Sequence, residues 1–279
     1  MTRTIYILGA GFSATCGIAT DASMLEELNP LLDDTPPLKR PNLLGTSVDH
    51  LREQLFFGQN KIGFETFMSA LNSQSFLSEC VNSTPPNLFE QAEEEIVRAL
   101  RKYLQDKVDA ATSNGLANPI CKFIDRVDWN KDIVITFNYD LLLEKFLEQK
   151  QIQPKNEILH LHGSLTDSIL IYPNQRKFIT SLQKTTFSKR WKDAFDLLLE
   201  KRDAEPVNEW IFIGYSMPQT DGEAMGLFAY ADFYRLGRNY KISVVNPDPS
   251  AIKNYAFFRK EIIYYRLTME EYLSHHSVK

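Results

Sequence analysis

The residues best suited to chemistry in this chain are small or polar and follow short apolar runs. Gly9-Ala10-Gly11-Phe12-Ser13 follows Ile5-Tyr6-Ile7-Leu8, and Thr136-Phe137-Asn138-Tyr139-Asp140 ends a β-branched run. His160-Leu161-His162-Gly163-Ser164, Gly214-Tyr215-Ser216 with Asp221 nearby, and Asn246-Pro247-Asp248 close three more runs. Gly-x-Gly after a buried strand lets the backbone turn sharply and approach a phosphate, with the free N–H groups of the next helix aimed at it. An imidazole exchanges protons near neutral pH. A carboxamide both donates and accepts hydrogen bonds. His160 and His162, two apart on one strand, are expected to share a face. No third ligand accompanies them at a telling spacing, so no metal is expected.

Each group also has a plainer reading. Gly-x-Gly makes ordinary tight turns, Asn and Asp at strand ends cap helices or form turns, and a strand histidine is commonly structural. Position sets these groups apart, because a parallel α/β sheet binds ligands at the carboxyl ends of its strands. The third glycine of the dinucleotide fingerprint is replaced by Ala14. The acidic ribose ligand expected about 20 residues further on is missing, since residues 22–45 contain Pro30, Pro36, Pro37 and Pro41 and no strand-like run. That weighs against a hydride-transfer enzyme.

The elements that must position these residues follow from periodicity. A strand is expected at 4–9, a helix over 12–32, a loop at 33–45 and helical pattern over 48–80, where Phe64, Phe67, Met68 and Leu71 fall on one face. Ser83-Thr84-Pro85-Pro86 starts a helix running to about 110. Residues 34–128 thus read as a helical insertion subdomain. Strands at Asp132–Thr136, Glu157–His162, Ile169–Tyr172, Trp210–Gly214, Lys241–Asn246 and Ile262–Leu267 then alternate with helices near 139–149, 187–201, 221–236, 249–258 and 269–276. The expected fold class is α/β: a Rossmann-like parallel sheet with helices on both faces, formed by residues 1–33 and 129–279.

Composition narrows the function classes. A net charge of −5 argues against a nucleic-acid-binding face. No apolar stretch approaches the ~20 residues of a membrane span, and the N-terminus lacks the pattern of a secretion signal. Cys16, Cys80 and Cys121 are sparse and odd in number, which suggests reduced thiols in a cytoplasm, and they cannot form a four-cysteine zinc site. Cys16 reads as a small residue packed behind the glycine turn.

The ordered set Gly9-Ala10-Gly11-Phe12-Ser13 with Gly17-Ile18, Thr136-Phe137-Asn138-Tyr139-Asp140, His162-Gly163-Ser164, Gly214-Tyr215-Ser216 and Val245-Asn246 resembles the sirtuin family. It is closest to the bacterial sirtuin-like domains that destroy NAD in antiviral defence. Gly63-Phe64-Glu65-Thr66-Phe67 and Met217-Pro218 with Asp221 are similar to that branch. The resemblance spans residues 4 to about 250. It departs from the protein-deacylating members in lacking zinc cysteines, in reading Ala19-Thr20-Asp21-Ala22 after Gly17-Ile18, and in carrying Phe137 where they have glutamine.

The resemblance implies NAD as substrate and a homo-oligomer, with a partner such as a ring-forming ATPase. It also implies Asn138 and His162 as reacting residues. In this reading His162 is the base, Asn138 holds the ribose or the water, and Asp140 orients the ribose or the nicotinamide end. Gly9, Ala10, Gly11, Phe12, Ser13, Thr136, Gly214, Ser216 and Asn246 bind the rest of the dinucleotide. Three alternatives stay open: a module that binds NAD or ADP-ribose without cleaving it, an NAD-dependent deacylase, and a hydride-transfer enzyme.

Overall fold

The computed structural model describes residues 3–33, 63–71, 87–113, 115, 118–167, 170, 181–200 and 206–275. Six apolar, largely β-branched or aromatic runs form one sheet: β1 (Arg3–Leu8), β2 (Ile133–Thr136), β3 (Leu159–His160), β4 (Val207–Ile213), β5 (Lys241–Val245) and β6 (Ile262–Tyr265). Their spatial order is β3-β2-β1-β4-β5-β6, and every neighbouring pair is parallel. This is the doubly wound, Rossmann-like order, in which the winding reverses between β1 and β4.

Both faces of the sheet are covered, which is why its central strands are continuously apolar. On one face Ile5, Ile7, Ile133, Ile135, Trp210, Phe212, Ile242 and Val244 share a core with Leu198 and Phe228. On the other, Tyr6 and Phe12 each meet Phe123 edge-on, with ring centroids 5.2 and 5.0 Å apart. Phe123 lies on the helix Pro119–Arg126, which periodicity alone did not reveal. Its signal is local: Asn118 is the N-cap, its side chain accepts from Ile120 N, and Pro119 occupies the first turn.

A second compact unit, Ala19–Lys107 with Tyr172–Arg176, is helical where described. It holds the helix Asp21–Asp33, helical residues 64–71 and most of the helix Asn87–Ser113. Phe64, Phe67, Met68 and Leu71 are all buried, as their spacing predicts. Asp21 Oδ1 accepts from Glu65 N at 2.7 Å, so the acidic residue that opens one helix caps another.

Several boundaries differ from expectation. The helix expected over 12–32 is interrupted: a turn at Ala10–Ser13 and a 3-10 turn at Ala14–Cys16 end at Gly17, and the helix proper begins at Asp21. The segment expected as a helix at 249–258 is a 3-10 helix at Ala251–Tyr255. The strand expected at 157–162 pairs only at Leu159–His160. Residues 34–62 and 72–86, and the strand expected at Ile169–Tyr172 except Leu170, lie outside the described residues. Among the described residues, no helix is long and apolar enough to cross a membrane.

Entry into β4 is fixed by a buried cation. Arg235, 1 % exposed, donates to Leu198 O, Glu200 Oε1 and Val207 O at 3.1, 2.8 and 2.7 Å. A buried guanidinium is tolerated because both its terminal nitrogens are met by a carboxylate and by chain carbonyls.

Candidate active site

The turn after β1 and the turn after β4 interlock where the winding reverses. Gly9 N donates to Ile213 O at 3.1 Å and Gly11 N to Gly214 O at 2.8 Å. A Cβ on Gly9 would lie 2.5 Å from Tyr215 Cα, and one on Gly11 2.8 Å from Gly214 Cα. The glycines are therefore demanded first by the contact between two backbones. Phe12 N donates to Gly9 O at 2.8 Å, so the amides of Gly9, Gly11 and Phe12 are all spent inside the protein. Phe12 itself is buried, whereas Ala10 is exposed and forms the outer edge of the turn.

Asn138 ties β2 to this junction. Its Nδ2 donates to Gly9 O at 3.0 Å and to Ser13 Oγ at 2.9 Å. Gly9 O can only accept, so the amide orientation is fixed and Oδ1 is left to accept. Thr136 Oγ1 steadies the same residue by accepting from Asn138 N at 3.1 Å. Asp140 Oδ1 accepts from Leu142 N at 3.1 Å, where the helix Leu142–Gln149 begins. Burial pushes the Asp140 carboxyl above its usual range, against the opposing pull of the Ser13 hydroxyl and Leu142 N. Ser13 thus relays between Asn138, from which it accepts, and Asp140. A small cleft lies beside them, lined by Phe12, Thr136, Asn138, Asp140, Glu144 and His160 among others.

His160 completes that cluster as a structural cation. Its Nδ1 faces Asn138 O at 3.0 Å and its Nε2 faces Glu144 Oε1 at 2.6 Å. Both neighbours are acceptors, so both ring nitrogens carry protons. Burial pulls the His160 pKa down, but the Glu144 hydrogen bond and charge, with Asn138 O, leave it raised overall. A histidine raised in the folded state stabilises fully below its unfolded pKa of about 6.5 and loses that contribution as pH rises through the folded value. Glu144→Gln is expected to lower stability by about 1 kcal/mol below pH 6.5. The difference from the parent protein should shrink toward alkaline pH in melting curves taken across pH 5–9.

His162 does not share His160's surroundings, contrary to the expectation from spacing. Pairing stops at His160, the chain turns at Leu161–His162, and Gly163 takes a φ of +86°. The turn carries the second imidazole to the residues after β4. His162 Nε2 lies 3.1 Å from Asp221 Oδ2, and both groups are almost fully buried. Tyr215 OH donates to the same carboxylate at 2.5 Å, and Ala224 N donates to Asp221 Oδ1 at 3.3 Å. Burial works to raise the Asp221 pKa, but hydrogen bonds from His162, Tyr215 OH and Ala224 N outweigh it, so the group is held low. His162 Nδ1 is buried without a hydrogen-bond partner among the described residues.

The two clusters flank one junction. The His162 ring packs on the residues either side of Asn138, with centroids 5.0 Å from Phe137 and 6.3 Å from Tyr139. Phe137 in turn stacks on Tyr215 at 4.3 Å. Sequence reasoning missed two partners, Asp221 for His162 and Glu144 for His160.

The remaining candidates are more peripheral. Asn246 Oδ1 accepts from Asp248 N at 2.9 Å, and its Nδ2 reaches Tyr215 O at 3.5 Å, so it braces the β4 turn. Ser216 is exposed, and its carbonyl accepts from Asn254 Nδ2 at 3.0 Å. Gly214 has a φ of +64°. Cys16 is bonded to Asn118, with contacts of 3.2 and 3.1 Å to the amide O and N. Burial raises its thiol pKa, which does not favour a nucleophile. Among the described residues, no group of three or more His, Cys, Asp or Glu could hold a metal ion.

No family model and no curated protein matches the chain. Among solved structures, one that is similar is Sir2Tm bound to a propionylated peptide, with 14 % identity over 98 % of this chain and 91 % of that one, at a TM-score of 0.38. Strand order and site geometry, not this likeness, carry the functional reading.

Proposed function

We propose that this chain is an NAD glycohydrolase, cleaving the nicotinamide–ribose bond to nicotinamide and ADP-ribose. The observation that supports this most is a carboxamide fixed at the glycine junction where a doubly wound sheet binds ligands, with an imidazole packed on the adjacent Phe137 whose Nδ1 has no partner among the described residues. The residues fit the substrate in kind. Exposed Ala10 and Ser216 offer an open edge for a pyrophosphate, with Gly9, Gly11, Phe12, Ser13 and Gly214 setting the turn beneath it and Asn246 bracing the adenosine side.

Nicotinamide leaves NAD as a neutral group without needing a proton, so the barrier lies in the positive charge that builds on the ribose. When the C1′–N1 bond breaks, its electron pair goes to the nicotinamide nitrogen. A water oxygen bonds to C1′, and its proton passes to His162 Nδ1. Asn138 Oδ1 accepts from the water or a ribose hydroxyl and holds it in line. Asp140, fixed through Ser13 and Leu142 N, supplies an acceptor beside the developing cation.

The same proposal makes the chain a cytoplasmic effector of bacterial antiviral defence. It would be restrained by assembly with itself or with a partner such as a ring-forming ATPase. Incubating the purified chain with NAD should release nicotinamide and ADP-ribose in equal amounts, and Asn138→Ala should slow release by about 100-fold or more. NAD binding without release would instead favour a regulatory binding module, and NAD-dependent removal of an acyl group from lysine would favour a deacylase.

A further inference from the structure

The helix Gly222–Tyr234 begins with Asp221 as its N-cap, and capping alone would explain one carboxylate oxygen. It does not explain the other. Asp221 is 1 % exposed, and its Oδ2 takes Tyr215 OH at 2.5 Å and His162 Nε2 at 3.1 Å. A cap at a helix start is ordinarily solvated, and burying a carboxylate this far is costly unless its oxygens are met by donors. Here three donors from three places meet them: a helix amide, a phenol after β4 and an imidazole after β3. An ionised carboxylate can only accept, so Nε2 must be the protonated nitrogen facing it. In a neutral ring the lone pair would then lie on Nδ1, the nitrogen without a partner among the described residues. Phe137, at 5.0 Å, and Trp191, at 6.4 Å, hold the ring in this setting.

We infer that Asp221, steadied by the Tyr215 hydroxyl, is a positioning residue that fixes His162 in the tautomer with Nδ1 free to take a proton. This rests on the reading of His162 as the base. Asp221→Asn keeps the shape and the cap but turns an amide N–H toward Nε2. The ring must then offer Nε2 as an acceptor and place its proton on Nδ1.

The test is a long-range proton–nitrogen spectrum of protein carrying ¹⁵N-labelled histidine, recorded at pH 8, with His162 assigned by the signal missing from His162→Ala. The expected result is a protonated Nε2 and an unprotonated Nδ1 in the parent protein, reversed in Asp221→Asn. In that variant kcat for nicotinamide release should fall about 10²–10⁴-fold, with KM for NAD within about threefold. A ring protonated on Nδ1 in the parent protein, or an Asp221→Asn protein with unchanged tautomer and kcat, overturns the inference. If Asp221→Asn does not fold, the parent spectrum decides the matter alone. A parent protein with the expected tautomer that releases no nicotinamide keeps the positioning pair and removes the hydrolase reading.

Discussion

His162→Ala is expected to lower nicotinamide release by about 10²–10⁴-fold, the range for losing a general base. The side chain is nearly fully buried and donates to an ionised carboxylate, so truncation also leaves a cavity and removes one of three donors from Asp221. That should cost about 2–3 kcal/mol, or about 5–10 °C in melting temperature for a chain of this size. Assay at 20 °C separates the two effects, because the folded fraction stays near unity. His162→Gln separates them chemically: its amide can still donate to Asp221 but cannot take a proton. A loss of rate as large as in His162→Ala, with a smaller loss of stability, is the expected pattern, read by nicotinamide release and thermal melting side by side.

Gly214→Ala is expected to have the largest effect on the fold. The added Cβ would lie 2.3 Å from Phe12 N and 2.4 Å from Gly11 C, at a φ of +64°. Neither obstacle is a flexible side-chain end, so the two turns must part. Overpacking of about 1–3 kcal/mol and a left-handed penalty of about 1 kcal/mol act together. The melting temperature should drop by about 5–15 °C. NAD cleavage should fall as well, since the Gly11 N–Gly214 O bond sets the turn that Asn138 grips. Gly222→Ala and Gly226→Ala are the controls: an added Cβ meets nothing within 4 Å at either, and both should melt within about 2 °C of the parent protein.

The sheet was legible because its central strands are buried on both sides and so lack the alternation that could confuse them with surface strands. That Asn138 and the glycine turn come together was legible because each stands at the carboxyl end of one of two paired parallel strands. The link from His162 to Asp221 was not, because a hydrogen bond between residues 59 positions apart leaves no local pattern. Nor was the parting of His160 from His162. Period-two alternation holds only while a strand is paired, and pairing ends at His160. Glu144 left a faint trace, four residues after Asp140 on the first turn of the next helix, where an acidic residue is also explained by the helix dipole alone. The helix at Pro119–Arg126 was readable in principle from Asn118-Pro119, but at eight residues it is too short for periodicity to mark.

The most direct measurement is a crystal structure of the His162→Ala protein with NAD bound. The nicotinamide-bearing ribose is expected over the Gly9–Ser13 turn, its hydroxyls or an ordered water bonded to Asn138 Oδ1, and the space left by the imidazole facing C1′. A dinucleotide whose ribose lies away from Asn138, or that leaves the position of residue 162 behind the sheet from C1′, would contradict this placement.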